Sequence, residues 1–313
     1  FAHEWPVVRD IAEAVRRRFP AALVIVGGEN ATNFWPWIFE QTDSVDAAVL
    51  GEGDATIVEL VARYEQGLPL HGMQGLAVRD VPDEVDRSGG LPVRLRKLGD
   101  VARPAWDLFP MDDYLRYRSF LGVDRGRSMP MLASRGCPYK CTFCSSPAMW
   151  TTRYVVRDPD DLADEIAEYV ERYGISNIDF VDLTAITKRQ WTLDFCDALD
   201  RRHLDISWQL PIGTRSEGID EVVLRRLWET GCRNITFAPE SGSPRMLEIF
   251  DKRLDLDHIL DDIRAAHALG MVVHVNTIIG HPKENWSDRW KNLTFLMKAA
   301  LAGADTGSAI MFH

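Results

Sequence analysis

Apolar and polar positions alternate along the chain in blocks that predict strands and helices in turn. From about residue 130 onward, short apolar runs recur between amphipathic stretches of helical periodicity. The predicted strands are residues 130–134, 177–182, 206–210, 234–238, 272–279 and 306–312. Strands that alternate with helices form parallel sheets, so this region is predicted to be a closed or partly closed barrel. Its active site is expected on the loops at the carboxyl ends of the strands.

Helix boundaries in this region carry recognisable signals. Asp158 with Pro159, and Ser243 with Pro244, have the residue types that begin helices. Gly174 and Gly270 stand where helices are expected to stop.

The first eighty residues predict a separate α/β unit. A helical stretch over residues 5–19 leads into an apolar run over 22–28, and residues 46–54 repeat the strand-then-glycine pattern before a helix that ends near Glu65. A chain that starts on a helix with no preceding strand is expected to hold only the later half of such a domain. The predicted division is a first domain over residues 1–80, a linker rich in Pro, Gly and charge over 81–127, and a barrel over 128–313.

Composition and charge limit the classes of partner that this protein is expected to bind. The 313 residues carry 36 basic and 47 acidic side chains, a net charge of −11, which disfavours nucleic acid and with it tRNA modification. No apolar run approaches the roughly 18 residues of a membrane span, and the first ten residues lack the order of a signal peptide. The expected localisation is therefore cytoplasmic.

Cysteine usage supplies the strongest chemical signal. Only five cysteines occur in the chain, too few for a disulfide framework, yet Cys137, Cys141 and Cys144 follow the first barrel strand at spacings of four and three. A structural zinc requires a fourth ligand, and no second CxxC or HxxxH motif is present in the sequence. An iron–sulfur cubane held by three thiolates leaves one iron open to a substrate, so the cluster is favoured over zinc-bound or merely buried cysteines.

This CxxxCxxC spacing, with Phe143 before the last cysteine, resembles the radical S-adenosylmethionine (SAM) superfamily from about Pro130 onward. The resemblance implies a [4Fe–4S] cluster on the three cysteines and a partial (β/α)6 barrel. It also implies that the open iron chelates SAM, and that an electron from the cluster releases methionine and a 5′-deoxyadenosyl radical. An external donor such as flavodoxin or ferredoxin is expected to supply that electron.

The same resemblance assigns further cofactor contacts to strand ends: Phe143, Asp182, Arg215, Glu240, Ser241, Asn276, Ile278 and Gly280. Asp182 stands in for a Gly-Gly-Glu that many members carry. Alternatives remain open for two of them, because Arg215 could be an exposed loop arginine and Glu240 could cap the following helix. His281 could move a proton or be only a hydrogen-bonded histidine, and Trp208 is proposed as a wall of the substrate cavity.

The glycine pairs of the first domain resemble the later half of a Rossmann-like cobalamin-binding domain. The resemblance assigns cobalamin contacts to Gly27, Gly28, Gly51, Glu52 and Gly53. Glycine lets the backbone approach a large ligand closely. Two departures are present: the DxHxxG motif that supplies an axial histidine is missing, and Asn30 stands where relatives often carry histidine.

Taken together, the sequence predicts a cobalamin-dependent radical SAM enzyme that methylates an unactivated carbon of a small-molecule or natural-product substrate. One alternative is a radical cyclase or rearrangement enzyme without methyl transfer. Residues 180–196, together with 208–220 and 237–244, resemble the anaerobic magnesium-protoporphyrin monomethyl ester cyclase group in particular. The other alternative is a non-catalytic iron–sulfur electron-transfer protein.

Overall fold

The computed structural model describes residues 4–81, 84–86, 90, 94–117 and 122–311. The chain divides into two compact units. The first comprises Phe1–Arg96, Cys137–Tyr139 and Cys144–Arg153, and the second comprises Lys97–Gly136, Lys140–Phe143 and Tyr154–His313. No helix among the described residues is both long and apolar enough to span a bilayer.

The first unit is a four-stranded sheet between layers of helices. Its elements are α1 (Trp5–Arg18), β1 (Ile25–Val26), α2 (Gly28–Gln41), β2 (Ala47–Val49), α3 (Asp54–Glu65), β3 (Leu76–Val81), β4 (Glu84–Asp86) and, after the cysteines, α5 (Ser146–Trp150). The strand order is β1-β2-β3-β4, with β1 and β2 parallel and the later pairs antiparallel. Ala48 packs into the core on one face of β2, and Ala47 and Val49 pack into the core on the other. This two-sided burial explains the continuous apolar run in the sequence.

The second unit is built on a six-stranded parallel sheet. Its strands are β5 (Ser128–Met131), β8 (Asn177–Phe180), β9 (Ser207–Thr214), β10 (Cys232–Glu240), β11 (Val272–Ile279) and β12 (Asp305–Met311). Each strand pairs in parallel with the next in this series, which confirms the predicted partial (β/α)6 barrel. The β5–β8 connection also holds a small antiparallel pair, β6 (Ser134–Arg135) with β7 (Val155–Val156).

Six helices follow these strands or connect them, and one short helix precedes the sheet. They are α4 (Met111–Arg116), α6 (Pro159–Tyr173), α7 (Arg189–Arg202), α8 (Glu221–Glu229), α9 (Pro244–Ile249), α10 (Leu256–Ala268) and α11 (Trp286–Leu301). The Asp158 carboxylate accepts from the N–H groups of Asp160 and Asp161, and Gly174 ends α6 at φ +59°, as the sequence predicted. The described part of the segment predicted to be a linker, residues 81–127, contains β4, two 3₁₀ turns and α4, so its beginning belongs to the sheet of the first unit.

Ser243 precedes α9 as predicted, but its hydroxyl does not cap that helix. It donates instead to the buried Asp288 carboxylate at 2.7 Å, which also pairs with Arg245 and accepts from the Asn285 N–H at 3.0 Å. The Arg245 guanidinium holds the pKa of Asp288 well below its usual range. A group with a depressed pKa stabilises the fold above its ordinary pKa, and this contribution is lost as the pH falls through the folded-state value.

Replacing Asp288 with asparagine is therefore expected to lower the free energy of unfolding at pH 7 by about 1–3 kcal/mol. The deficit should shrink as the pH drops below about 4, because the unfolded wild-type carboxylate then takes up a proton while the folded one stays ionised, and this uptake favours the unfolded state. Urea unfolding of both proteins at neutral and acid pH measures it. Asp261→Asn is the control, since that carboxylate is 73% exposed, and a deficit independent of pH would contradict the assignment.

Strand alternation separates an apolar outer face of the sheet from a polar inner face. Trp208 is 1% exposed and lies on the helix side, with its ring 5.6 Å from Phe180 and 5.7 Å from Phe195. Its Nε1 donates to the Thr230 carbonyl at 2.9 Å. The prediction that Trp208 lines the substrate cavity is therefore wrong, because its neighbour Gln209 occupies the inner face.

Candidate cofactor sites

The three clustered cysteines differ from the other two in exposure. Cys137 and Cys141 are half-buried and Cys144 is exposed, and all five cysteines are thiols outside any disulfide. Cys196 and Cys232 are buried, and burial raises the pKa of the Cys196 thiol to about 11. A thiolate is the form that ligates metal, and burial disfavours that form at Cys196.

The middle of the cysteine loop is hydrogen-bonded to the carboxyl end of α9. The Thr142 N–H donates to the Phe250 carbonyl at 3.0 Å, and its hydroxyl donates to the Ile249 carbonyl at 2.9 Å. The Phe143 ring meets the Phe250 ring edge-on at 5.2 Å. Phe143 therefore packs against the same segment, and its predicted cofactor contact stays a prediction.

The residues after the last cysteine belong to the first unit. The Ser145 hydroxyl and the Trp150 Nε1 donate to the two carboxylate oxygens of Glu29, at 3.1 and 3.2 Å. The Arg94 guanidinium lies 5.2 Å from the Trp150 ring. The sequence did not predict that Glu29 holds the segment after the last cysteine, because the two residues it contacts are more than a hundred positions away along the chain.

Among the described residues, no three His, Cys, Asp or Glu side chains gather as ligands of a single metal ion do. An iron–sulfur cubane needs a different arrangement of ligands, because each thiolate binds a separate iron and the cysteine sulfurs lie around the cluster. Three thiols on one loop are the donor set that such a cluster uses.

Asp182, which follows β8, is held in place by the end of the first barrel strand. Its carboxylate accepts from the Ala133 N–H at 3.0 Å and from the Ser134 hydroxyl. Burial raises the pKa of Asp182 to about 6, although the hydrogen bonds oppose the shift. The predicted contact with the amino group of SAM stays a prediction.

Arg215, just after β9, is 8% exposed. Its Nε donates to Glu217 Oε1 at 2.8 Å and its Nη2 donates to the Arg253 carbonyl at 2.7 Å. The alternative of an exposed loop arginine is therefore wrong. A fixed guanidinium suits recognition of a carboxylate.

Glu240 ends β10 in an unusual conformation. Its φ is +68°, in the left-handed region that residues other than glycine rarely adopt. The carboxylate accepts from Lys252 Nζ at 3.0 Å, and the neighbouring Ser241 hydroxyl accepts from the Ser243 N–H at 3.1 Å. The alternative in which Glu240 caps the next helix is wrong, because α9 begins after Ser243 and the carboxylate bonds to Lys252.

Three predicted residues lie at the end of β11. Asn276 is half-buried, Ile278 packs against Met246 and Phe250, and Gly280 has φ +93° and donates its N–H to Glu284 at 2.9 Å. Their predicted contacts with SAM stay predictions.

His281, which follows β11, accepts the Lys283 N–H at Nδ1 at 3.1 Å. Its ring stands edge-on to Phe250 at 5.3 Å. These contacts agree with the interpretation in which His281 is only a hydrogen-bonded histidine and not a residue that moves a proton.

The paired glycines of the first unit line a cavity of about 460 Å³. Its lining residues are Gly27, Gly28, Glu29, Asn30, Asn33, Phe34 and Ser145. A Cβ added at Gly28, where φ is +83°, would meet no atom of the described residues within 4 Å. The Asn30 Oδ1 atom is buried and has no hydrogen-bond partner among the described residues. The cavity therefore offers open backbone at Gly28, and Asn30 in its lining holds a buried acceptor without a described partner.

The second glycine pair is braced by its neighbours. Gly51 has φ +66° and donates its N–H to the Thr32 hydroxyl at 2.9 Å. The Glu52 carboxylate accepts from the Leu95 N–H at 2.7 Å and pairs with Arg94 at 3.1 Å. Gly53 precedes α3, and a Cβ there would lie 3.1 Å from Val49. The predicted cobalamin contacts of this loop stay predictions.

Comparison of the sequence with known protein families identifies the family of this chain. Residues 131–296 match the Radical SAM superfamily. The chain belongs to the radical SAM superfamily. Membership confirms the family predicted from the cysteine spacing, together with the [4Fe–4S] cluster and SAM that the resemblance implied.

Relatives of this radical SAM protein include an uncharacterized methyltransferase of Pyrococcus horikoshii, 29% identical over 88% of this chain and 58% of the relative. The anaerobic magnesium-protoporphyrin IX monomethyl ester cyclase of Cereibacter sphaeroides is 28% identical over 85% of this chain and 43% of its own length. The chain thus spans about half the length of these relatives.

Among solved structures, the radical SAM methyltransferase TsrM from Kitasatospora setae, with cobalamin and a [4Fe–4S] cluster bound, shares the fold. Its TM-score is 0.71 at 20% identity, covering 95% of this chain and 56% of TsrM.

Proposed function

We propose that this radical SAM protein is a cobalamin-dependent enzyme that methylates a carbon of a small-molecule substrate. The observation that carries the proposal is that one chain holds both a radical SAM sheet with its cysteine loop and a unit with an open, glycine-lined cavity. The methyltransferase name of the Pyrococcus horikoshii relative and the cobalamin bound to TsrM support it.

Cys137, Cys141 and Cys144 are the proposed cluster ligands. When bound, the cluster supplies the electron that cleaves SAM, and this electron comes from an external protein donor. Thr142 anchors the loop through two hydrogen bonds to the carboxyl end of α9. The chain thereby limits the motion of the segment between the second and third ligands.

Strand-end residues are proposed to bind SAM. The Arg215 guanidinium is held by Glu217 and the Arg253 carbonyl, so it presents a fixed positive charge for the methionyl carboxylate. Glu240 and Ser241 offer acceptors for hydroxyl or ammonium groups. Asp182, Asn276, Ile278 and Gly280 complete the proposed set at neighbouring strand ends.

The glycine-lined cavity is proposed to receive part of cobalamin, which supplies the methyl group when bound. Gly28 leaves the backbone open to a bulky ligand, and Gly27 precedes it in the same turn. Gly51 and Gly53 frame the second proposed contact, and Glu52 braces that loop through Arg94.

A second candidate is a radical cyclase that transfers no methyl group. The 28% identity to the Cereibacter sphaeroides cyclase, over 85% of this chain, favours it as the alternative.

Methyl-labelled SAM separates the two candidates without knowledge of the substrate. Protein reconstituted anaerobically with iron, sulfide and reduced cobalamin is expected to form labelled methylcobalamin, because a methylase must reload the cobalt from SAM. Chromatography of the extracted cobalamin measures the label, and a sample without protein is the control. Formation of 5′-deoxyadenosine with no labelled cobalamin would favour the cyclase instead.

A further inference from the structure

Residues 249–253, which run from the last residue of α9 into its connection to α10, contact the cysteine loop and several of the proposed cofactor-binding residues. The Ile249 and Phe250 carbonyls accept hydrogen bonds from Thr142 of the cysteine loop, at 2.9 and 3.0 Å. The Arg253 carbonyl accepts from Arg215, which follows β9, at 2.7 Å. The segment therefore connects the cysteine loop to a strand end, although its sequence carries no motif.

Lys252 lies inside this segment and reaches the end of β10. Its Nζ donates to Glu240 Oε1 at 3.0 Å, with the lysine side chain 6% exposed and the glutamate side chain 12% exposed. A buried ammonium or carboxylate without a partner is costly, so each group requires the other. Lys252 engages one carboxylate oxygen, and the second can accept from a ligand.

Two residues with left-handed backbone conformations lie at the two ends of the contact between Lys252 and Glu240. Glu240 has φ +68° where β10 ends, and Asp251 has φ +50° immediately before Lys252. The Lys252 N–H donates to the Leu247 carbonyl at 2.9 Å, so Asp251 ends α9 in the left-handed conformation and turns the chain toward β10. Residues other than glycine persist in this region when the surrounding structure holds them there.

The turn after Glu240 is equally constrained. The Gly242 N–H donates to Asn292 Oδ1 at 2.9 Å, and a Cβ at Gly242 would lie 2.3 Å from the Phe295 Cβ. Glu240 is thus fixed by its backbone on one side and by Lys252 on the other.

We propose that Lys252 is a positioning residue for SAM binding: it holds the Glu240 carboxylate in one orientation, toward the cofactor. The proposal rests on the proposed function, in which Glu240 contacts SAM. Lys252 itself acts through Glu240, and residues 249–253 set its place relative to Arg215 and Thr142.

The test is SAM affinity in full-length protein with the cluster reconstituted anaerobically, measured by equilibrium dialysis of labelled SAM. Lys252→Met is expected to raise the Kd about 10- to 100-fold, as loss of a supporting contact typically does. Lys252→Arg should restore most of the affinity, and the iron content should not change. Arg245→Met is the matched control, because it removes a neighbouring ion pair from α9 and should leave the Kd unchanged.

A double-mutant cycle distinguishes positioning from a merely structural role. If Lys252 acts through Glu240, Lys252→Met added to Glu240→Gln should cause no further loss of SAM affinity. This comparison also holds if Lys252→Met alone folds poorly, since the double variant leaves no unpaired buried charge. Normal affinity in Lys252→Met, or a further loss in the double variant, would overturn the proposal. Failure of the wild-type protein to bind SAM would overturn the proposed function instead.

Discussion

Replacing Cys141 with alanine is expected to abolish both cluster assembly and SAM cleavage. A cubane with three protein ligands loses one iron's only protein donor, and two thiolates do not hold the cluster against solvent. Iron and sulfide analysis of the reconstituted protein measures assembly, and chromatography of 5′-deoxyadenosine measures cleavage. We expect no 5′-deoxyadenosine above the level without protein.

Cys196→Ala is the matched control for this variant. Cys196 is 0% exposed in α7, and its sulfur accepts from the Thr230 hydroxyl at 3.5 Å, so its removal should leave the cluster intact. A reconstituted Cys141→Ala protein that still formed 5′-deoxyadenosine would refute the assignment of the three cysteines.

The second large effect is expected on stability. Trp208→Ala should lower the free energy of unfolding by about 3–5 kcal/mol, because it empties a site filled by a large aromatic side chain. The Phe180 and Phe195 rings lie 5.6 and 5.7 Å from the indole and would face the cavity. Denaturant unfolding of the apoprotein measures the loss.

Trp290→Ala is the control for packing, since Trp290 is 70% exposed on α11 and its removal should change the free energy of unfolding by no more than about 0.5 kcal/mol. Equal free energies of unfolding for the Trp208→Ala and wild-type proteins would contradict the buried position of Trp208 and favour the original prediction that it lines the substrate cavity.

Much of the fold could be predicted because its signals are local. The run over residues 272–279 is a strand in both prediction and structure, and Asp158 caps α6 as its position before Pro159 indicated. The apolar run over residues 22–28 predicted a strand longer than the observed β1, Ile25–Val26. The observed strand is short because β1 lies at the edge of its sheet and is only half-buried. Propensity indicates a strand there, but pairing determines how far it extends.

The candidate site was predictable in its residue types and not in its contacts. Arg215 and Glu240 stood out at strand ends, but their partners are distant in sequence: the Arg253 carbonyl is 38 residues from Arg215, and Lys252 is 12 residues from Glu240. Neither partner has a spacing that marks it. Which residue meets a strand-end side chain depends on how α9 ends and packs.

By itself, the sequence determined the family and the order of strands and helices. The spacing of Cys137, Cys141 and Cys144 and the alternation of apolar runs are properties of neighbouring residues, and they persist in any conformation. Only the tertiary structure decided that Trp208 faces the helices and that Lys252 pairs with Glu240. A shift of one residue along a strand reverses which face a side chain occupies, and a contact between distant segments exists only once both are packed.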